Sequence, residues 1–331
     1  MNIRDLTIKD TSEVAKLLAY RHKQERAKYS SLNKIFEDET LVESIVAKKF
    51  EEKLSIAIGA YEGDALLGFI ISNVKIDSVF GRCAWVKYDG LALAEGVDAS
   101  IFRELYANIA DKWLSVGCLK HFVIVPAGQK DVLNAWLNSG FAYEQVFGIK
   151  KLTPSKIESL EDITIRKSVP EDKKDLESIS GLIMSFQAQS PTYAVALPEM
   201  FSEIKNGYGG LVDDSEAHVL LAYKGKDLLG FTCGYFEDED RHNMMTPYKS
   251  TELGVAGTND RFQNKGVGTL LTQSLFKDAI EAGYENSTTD WRITNMNSSV
   301  FWPKMGYEPY AYRFVRTIDE RILWADGYKK W

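Results

Sequence analysis

The sequence predicts a mixed α/β protein built from two tandem copies of one fold. Three observations carry this: four short segments that recur in the same order, one order of strands and helices in each half, and a strand–glycine loop–helix unit that only the second half retains. The chain has 331 residues, comfortable for two domains of about 100–200 residues each.

The halves open alike. Ile3-Arg4 and a helical stretch from Ser12 to Tyr20 correspond to Ile165-Arg166 and the stretch from Glu171 to Phe186. A hairpin follows in each, because two alternating apolar runs flank a short polar turn. In the first half it is Leu54 to Tyr61, Glu62-Gly63-Asp64 and Ala65 to Ile76; in the second, Ala217 to Tyr223, Lys224-Gly225-Lys226 and Asp227 to Phe236. Leu66-Leu67-Gly68-Phe69 recurs as Leu228-Leu229-Gly230-Phe231, at the same separation as Ile3-Arg4 from Ile165-Arg166. Near the ends, Trp136-Leu137-Asn138-Ser139-Gly140-Phe141 and Trp302-Pro303-Lys304-Met305-Gly306-Tyr307 lie only slightly farther apart, each followed by a strand-like run. A small insertion in the second copy accounts for the difference. The expected domains are 1–152 and 163–331, with a polar linker at 153–162. Both halves end in strands able to join across a pseudo-twofold axis.

Composition narrows the function. The formal net charge of −7 is spread along the chain, which argues against a nucleic-acid face, since neutralising phosphates needs clustered cations. Cys83, Cys118 and Cys233 are far apart and odd in number, so they read as buried thiols in a reducing compartment, with no metal-ligand spacing. No apolar run approaches the roughly 18–20 residues that span a bilayer, and Met1 to Leu6 lacks the apolar core of a signal peptide. The expectation is a cytoplasmic protein, monomer or homodimer, without membrane or nucleic-acid partners.

The segment from Thr251 to Ala282 carries the chemistry. Leu253, Val255 and Gly257 alternate along a strand, Thr258 to Asn264 form a polar loop, and Lys265-Gly266-Val267-Gly268-Thr269 lead into a helix with Leu270, Leu271, Leu275, Phe276, Ala279 and Ile280 at helical spacing. Backbone N–H groups and the helix dipole converge at such a junction and favour a phosphate; the same pattern also suits a glycine-rich turn before a core helix. A Rossmann fingerprint wants a third Gly where Leu271 stands, and a P-loop wants Gly-Lys-Ser/Thr, which is missing.

Gln263-Asn264-Lys265-Gly266-Val267-Gly268 resembles the Gln/Arg-x-x-Gly-x-Gly/Ala signature of the GNAT superfamily of N-acetyltransferases. Asn295, Ser298, Phe301, Trp302, Lys304, Gly306 and Tyr307 resemble its second signature in register. The resemblance covers the second half fully and the first in outline. It implies a mostly antiparallel sheet in each copy, split by the cofactor and flanked by helices. It implies that acetyl-CoA, or another short acyl-CoA, lies between the strand ending near Gly257 and that from Ser287 to Ile293. Backbone from Gln263 to Gly268 would hold the pyrophosphate with Thr269 also at the cofactor, backbone of Ala256, Gly257 and Thr258 the pantetheine arm, and Asn295, Ser298 and Trp302 would flank the far side. In the first copy the glycine positions fall on Ser100 and Phe102, with Glu95 and Asp98 nearby, so that copy is expected to be a non-catalytic scaffold.

The implied reaction is direct transfer of acetyl to a small primary amine in a ternary complex. It needs a base for the ammonium proton and benefits from an acid for the thiolate. Glu252, on the strand into the cofactor loop, is the expected base. The resemblance puts an acidic tyrosine where Trp302 stands, and an indole N–H cannot serve; Tyr310 is the expected substitute, with Tyr312, Tyr235 and water as alternatives. Asp290, Asp238 in the run Glu237 to Asp240, and Tyr193 in the stretch from Gln187 to Glu199 are expected acceptor contacts, the acidic ones drawing a polyamine, an aminoglycoside or a lysine side chain. A non-enzymatic acyl-CoA sensor and a protein N-acyltransferase are the alternative functions.

Overall fold

A computed structural model of the chain describes residues 1–157, 159–195 and 197–325. Glu158 of the expected linker, Ala196 of the expected acceptor stretch and residues 326–331 of the expected second domain lie outside the described residues. The chain forms two compact units. The first is Met1–Val146 with Arg241–Met245 and the chain from Pro309 on; the second is Phe147–Asp240 with Thr246–Glu308.

In chain order the first copy contributes β1 (Asn2–Asp5), α1 (Thr11–Lys28), α2 (Glu39–Glu51), β2 (Ser55–Glu62), β3 (Ala65–Asp77), β4 (Gly81–Val86), β5 (Leu91–Leu93), α3 (Ile101–Ser115), β6 (Lys120–Pro126), α4 (Lys130–Leu137) and β7 (Ala142–Lys151). The second contributes β8 (Thr164–Lys167), α5 (Lys173–Ile179), α6 (Leu182–Gln187), α7 (Phe201–Gly210), β9 (Ala217–Lys224), β10 (Asp227–Glu237), β11 (Ser250–Thr258), α8 (Val267–Glu281), β12 (Asn286–Arg292), α9 (Met296–Lys304) and β13 (Glu308–Thr317). The helical stretch expected from Glu171 to Phe186 breaks into α5 and α6 at Ser180-Gly181, where the serine hydroxyl donates to the Glu177 carbonyl and glycine disfavours the helix.

The first unit's sheet runs β1-β2-β3-β4-β6, antiparallel except for the parallel β4–β6 pair, and then takes in β13. The second copy's last strand pairs antiparallel with β6 from Ala311↔Pro126 to Thr317↔Lys120. The second unit's sheet runs from the end of β7 through β12, β11, β10 and β9 to β8. Strand β7 is itself divided between the units after Val146.

The duplication extends to a polar network. Arg4 binds Asp10 (2.8 Å) and lies over the Tyr61 ring, whose hydroxyl donates to Glu13 at 2.7 Å. Arg166 binds Asp172 (2.6 and 2.7 Å) and lies over the Tyr223 ring, whose hydroxyl donates to Asp175 at 2.8 Å. Every member is displaced along the chain by the same interval that separates Gly68 from Gly230. In both copies the aspartate also accepts the backbone N–H three residues before it, Thr7 or Val169, which fixes how the first strand turns into the first helix.

The cores follow the patterning. Phe102, Leu105, Ile109 and Trp113 of α3 pack on β2, β3, β4 and β6 in the first unit. In the second, Leu270, Leu271, Leu275 and Ala279 form the buried stripe of α8, and Leu176, Ile179, Val219, Leu221, Phe231 and Cys233 bury the opposite face of the sheet.

Candidate functional site

The site grows out of an unfinished strand pair. β11 and β12 are parallel and paired only from Ser250↔Asn286 to Leu253↔Thr289, although β11 continues to Thr258 and β12 to Arg292. The Thr289 hydroxyl donates to the Leu253 carbonyl at 2.9 Å where pairing ends. Among the described residues, β11 beyond that point is bonded on one side only, to β10, in the register Val255↔Cys233 to Thr258↔Gly230. Asn259 N–H donates to the Leu229 carbonyl. Antiparallel alternation therefore turns the N–H and C=O of Gly257 towards β10 and those of Ala256 and Thr258 towards the open side. Unpaired backbone at these two positions thus faces a cleft instead of a neighbouring strand.

That cleft, about 540 Å³, is large enough for a sizeable ligand. Of the residues the sequence singled out for the cofactor, Ala256, Gly257, Thr258, Gln263, Asn264, Gly266, Val267, Gly268, Thr269, Ser298 and Trp302 line it together. Gly266 caps α8 in the left-handed region, φ 85°, and Asn264 precedes it at φ 59°, so the loop curls under the helix N-terminus and presents its N–H groups. Gly268 has room for one more carbon: a Cβ there would stand 3.4 Å from Thr258 Oγ1 and 3.6 Å from the Phe301 ring, ordinary contact with two residues that line the cleft.

Two cofactor candidates stand elsewhere. Lys265 donates from Nζ to the Arg261 carbonyl at 2.9 Å and is not among the lining residues. Asn295 is buried and caps α9, its Oδ1 accepting Asn297 and Ser298 N–H at 3.1 Å each. It orients the helix whose Ser298 and Trp302 line the cleft. Met296 and Val300, 65% and 54% exposed, also line it. Their i, i+4 spacing beside a cap was the available signal for them. Phe231, Phe262 and Phe301 complete the apolar wall.

The expected base lies farther along β11. Glu252 is four residues before Ala256, about 13 Å along an extended strand. It pairs across the sheet with Tyr235 on one side and Thr288 on the other, and Asp290 follows on the same face of β12. The Glu252 side chain as a whole is exposed, yet its carboxyl is pushed above the ordinary range, first by desolvation and then by the Asp290 charge. Its exposure keeps that effect modest. Asp290 has partners of its own.

Tyr310 belongs to the first unit, where it is buried and its hydroxyl donates to the Met245 carbonyl at 3.1 Å; it does not line the cleft. Tyr312, from the same strand, packs on Tyr143 in the first unit. Asp238 is exposed at the far end of β10, its carbonyl accepting Lys249 N–H and its carboxylate meeting the Tyr284 hydroxyl. Tyr193 is 71% exposed, with φ 45°, in a loop whose Thr192 hydroxyl lies 3.2 Å from that of Thr294 at the end of β12.

The first unit has the same strand geometry and fills it. Register places Leu91, opposite Ile70, where the second copy has Ala256 opposite Thr232. Arg21, from α1, donates from Nη1 to the carbonyls of Leu91 (2.5 Å) and Tyr88 (2.6 Å) and lies over the Tyr88 ring. The backbone edge open in the second copy is thus taken by a buried arginine. The cavity beside Arg21, Glu25, Leu93 and Phe102 holds about 10 Å³, room for a single water. Trp85, opposite Asn73, occupies the register position of Glu252, and Phe122 that of Thr288.

Residues 237–315 match the family model described as FR47-like protein. The fold as a whole resembles a GCN5-related N-acetyltransferase from Sphaerobacter thermophilus, with a TM-score of 0.57 and 14% identity over 96% of this chain and 95% of that one. It also resembles a tandem GNAT protein from the clavulanic acid biosynthesis pathway, with a TM-score of 0.52 and 12% identity over 96% and 98%. No curated protein matches the sequence.

Proposed function

We propose, from the premise that this chain belongs to the GNAT superfamily, that it is an acyl-CoA-dependent N-acyltransferase moving an acetyl group to a small primary amine. The observation that carries the proposal is the half-paired strand β11: it offers ligand-facing backbone at Ala256 and Thr258 in line with the glycine loop at the α8 N-terminus. The residues fit acetyl-CoA. The loop from Asn264 to Thr269 suits a pyrophosphate, because a helix start leaves its first N–H groups without partners inside the helix and its dipole favours an anion. The unpaired backbone of Ala256 and Thr258 suits the amides of a pantetheine arm. Bound there, acetyl-CoA supplies an activated acyl group.

The chain does the rest. Ala256 and Thr258 align the arm along β11, while Phe231, Phe301 and Trp302 keep water from it. Glu252, raised by desolvation and Asp290, is the base that removes the acceptor's proton, and Asp290 with Tyr193 borders the acceptor. The first copy is a scaffold, since Arg21 occupies its backbone edge and Trp85 the base position.

The test is thiol release from acetyl-CoA against spermidine, tobramycin and a lysine amide, together with calorimetry. Amine-dependent release with one acetyl-CoA site per chain is expected. Binding without turnover favours an acyl-CoA sensor, and two equivalent sites refute the scaffold assignment.

A further inference from the structure

We propose that the first unit carries a second ligand site, a groove along α3 that takes a monocarboxylate with an apolar body, its carboxylate bound by Arg103 and Arg316. The inference does not depend on acyl transfer and goes beyond that reading by giving the scaffold copy a ligand of its own.

The groove measures about 580 Å³ and is lined wholly by residues of the first unit. Arg103, Ala107, Ala110 and Leu114 of α3 line it at helical spacing, so a guanidinium heads a row of apolar side chains. Arg316 of β13 lines it as well. Its Nη1 donates to the Ser139 carbonyl at 2.6 Å, and its guanidinium lies 5.3 Å from the Tyr106 ring centroid and reaches the Tyr106 hydroxyl. Tyr106 is also the helix-surface neighbour of Arg103, three residues on, so both cations stand beside one ring.

Arg316 is set in place from behind. The Cys118 carbonyl can only accept, so His121 donates to it from Nε2 at 3.1 Å. Nδ1 then accepts the Tyr106 hydroxyl at 2.9 Å, and the phenol oxygen is left to accept from Arg316. A guanidinium carries five N–H donors, and these contacts leave part of its fork for a carboxylate. Among the described residues, neither Arg103 nor Arg316 forms an ion pair with a carboxylate. The remaining charged group on the lining is Glu104, and the His121 ring is neutral at pH 7 because desolvation holds its pKa at about 4. Two guanidiniums against one carboxylate leave a single net positive charge, which suits a monoanion.

The second copy shows what an occupied groove looks like. At the interval that separates Trp136 from Trp302, Gly140 corresponds to Gly306, Arg316 to Lys150 and Ala110 to Phe276. The glycine leaves room for the cation in both: an added Cβ would meet Arg316 at Gly140 and Lys150 at Gly306. Phe276 is buried, with Lys150 Nζ 5.5 Å from its ring centroid. The second copy thus fills with its own phenyl ring the place that Ala110 leaves open. The ligand of the first copy is not acyl-CoA, because Arg21 holds the backbone edge that a pantetheine arm would follow.

The experiment is a fluorine NMR titration of the full chain with 4-fluorophenylacetate, 4-fluorophenylacetamide and 4-fluorophenyl phosphate. Saturable binding of the carboxylate is expected, roughly tenfold or more tighter than the amide and tighter than the phosphate. Arg103→Ala, an exposed position, should weaken it by a similar factor. Ala110→Phe, which imports the second copy's residue, should abolish it. Both variants should keep the wild-type Tm and the wild-type rate of thiol release. No saturable binding, equal binding of the amide, tighter binding of the phosphate, or undiminished binding in Ala110→Phe overturns the site and leaves the transferase reading intact. Absence of thiol release with any amine overturns that reading and leaves this site standing.

Discussion

Gly266 and Gly268 stand two positions apart and are held by different constraints. Gly266 sits at φ 85°, so any side chain there strains the backbone by about 1 kcal/mol. Gly268 is constrained only by the cleft, which makes it the cleaner probe. Gly268→Ala should bind acetyl-CoA nearly as wild type, whereas Gly268→Glu should abolish binding in calorimetry by filling the cleft and adding a negative charge; Ser100→Glu in the first copy should change nothing. Glu252 gives a second residue-scale test. Glu252→Gln should lower kcat by roughly 10²–10⁴-fold, and less as pH approaches the amine's own pKa. The raised carboxyl pKa also means that the folded chain holds this proton more tightly than the unfolded one. The ionised carboxylate therefore costs stability as pH rises above the ordinary carboxylate range. Glu252→Gln should melt higher than wild type at neutral pH, an advantage that vanishes in acid. The glycine-bearing start of α8 and the strand that carries Glu252 were legible in the sequence because their patterning is local. Arg21 was not: it lies in Tyr20-Arg21-His22-Lys23-Gln24-Glu25-Arg26, which reads as a solvated helix face, yet Arg21, His22 and Glu25 are all buried.

At the scale of elements, α9 shows how one residue serves a site without touching it. Asn295 was expected to flank the cofactor, and the Asn-x-x-Ser spacing that suggested this is also a helix-capping pattern. Asn295→Ala should cost about 1 kcal/mol of stability, seen as a Tm lower by about 2–4 °C, with weaker acetyl-CoA binding because Ser298 and Trp302 lose their orientation. Asn295→Ser should restore both; affinity lost with Tm unchanged would make Asn295 a direct ligand instead. The hairpins and α8 were readable from periodicity. The unpaired stretch of β11 was not, since periodicity describes which faces are apolar and not where two neighbouring strands part. The Arg-Asp-Tyr networks had a readable signal, because every member recurs at one common interval. The shared role of Glu13 and Asp175 appears only once both tyrosine hydroxyls are placed.

For the whole molecule, the two units should respond unequally to acid. His22 and His121 are fully buried in the first unit, and desolvation holds each at a pKa of about 4. His22 Nε2 meets the Asn33 carbonyl; His121 Nε2 meets that of Cys118 and its Nδ1 the Tyr106 hydroxyl, an arrangement suited to neutral rings. In the unfolded chain both take up protons near pH 6.5. Stability is therefore intact above that value and falls as pH drops from 6.5 to 4, by roughly 3 kcal/mol per ring over the window. Glu25, raised by burial, works in the opposite sense and softens the slope. Hydrogen exchange at pH 5 should show β6 and α3 opening before α8 and β10; equal protection would contradict this. The two-copy organisation was legible from four short repeats. The last strands of the two copies were expected to join, and β13 does lie beside β7; its pairing with β6 was not legible, because partners so distant in sequence leave no local trace.

That last strand sets a timetable for synthesis. β13 lies beside β6 in the first unit's sheet, yet nearly the whole second copy is made between the two. A nascent chain emerging from the ribosome will have displayed every helix of its first unit long before the strand that completes the sheet exists. Until then the β6 edge that β13 will cover, from Lys120 to Pro126, stands open to the wrong partners. The first half of the gene product is thus the last to be finished, and the interval is one that chaperones or a slow decoding stretch would have to cover.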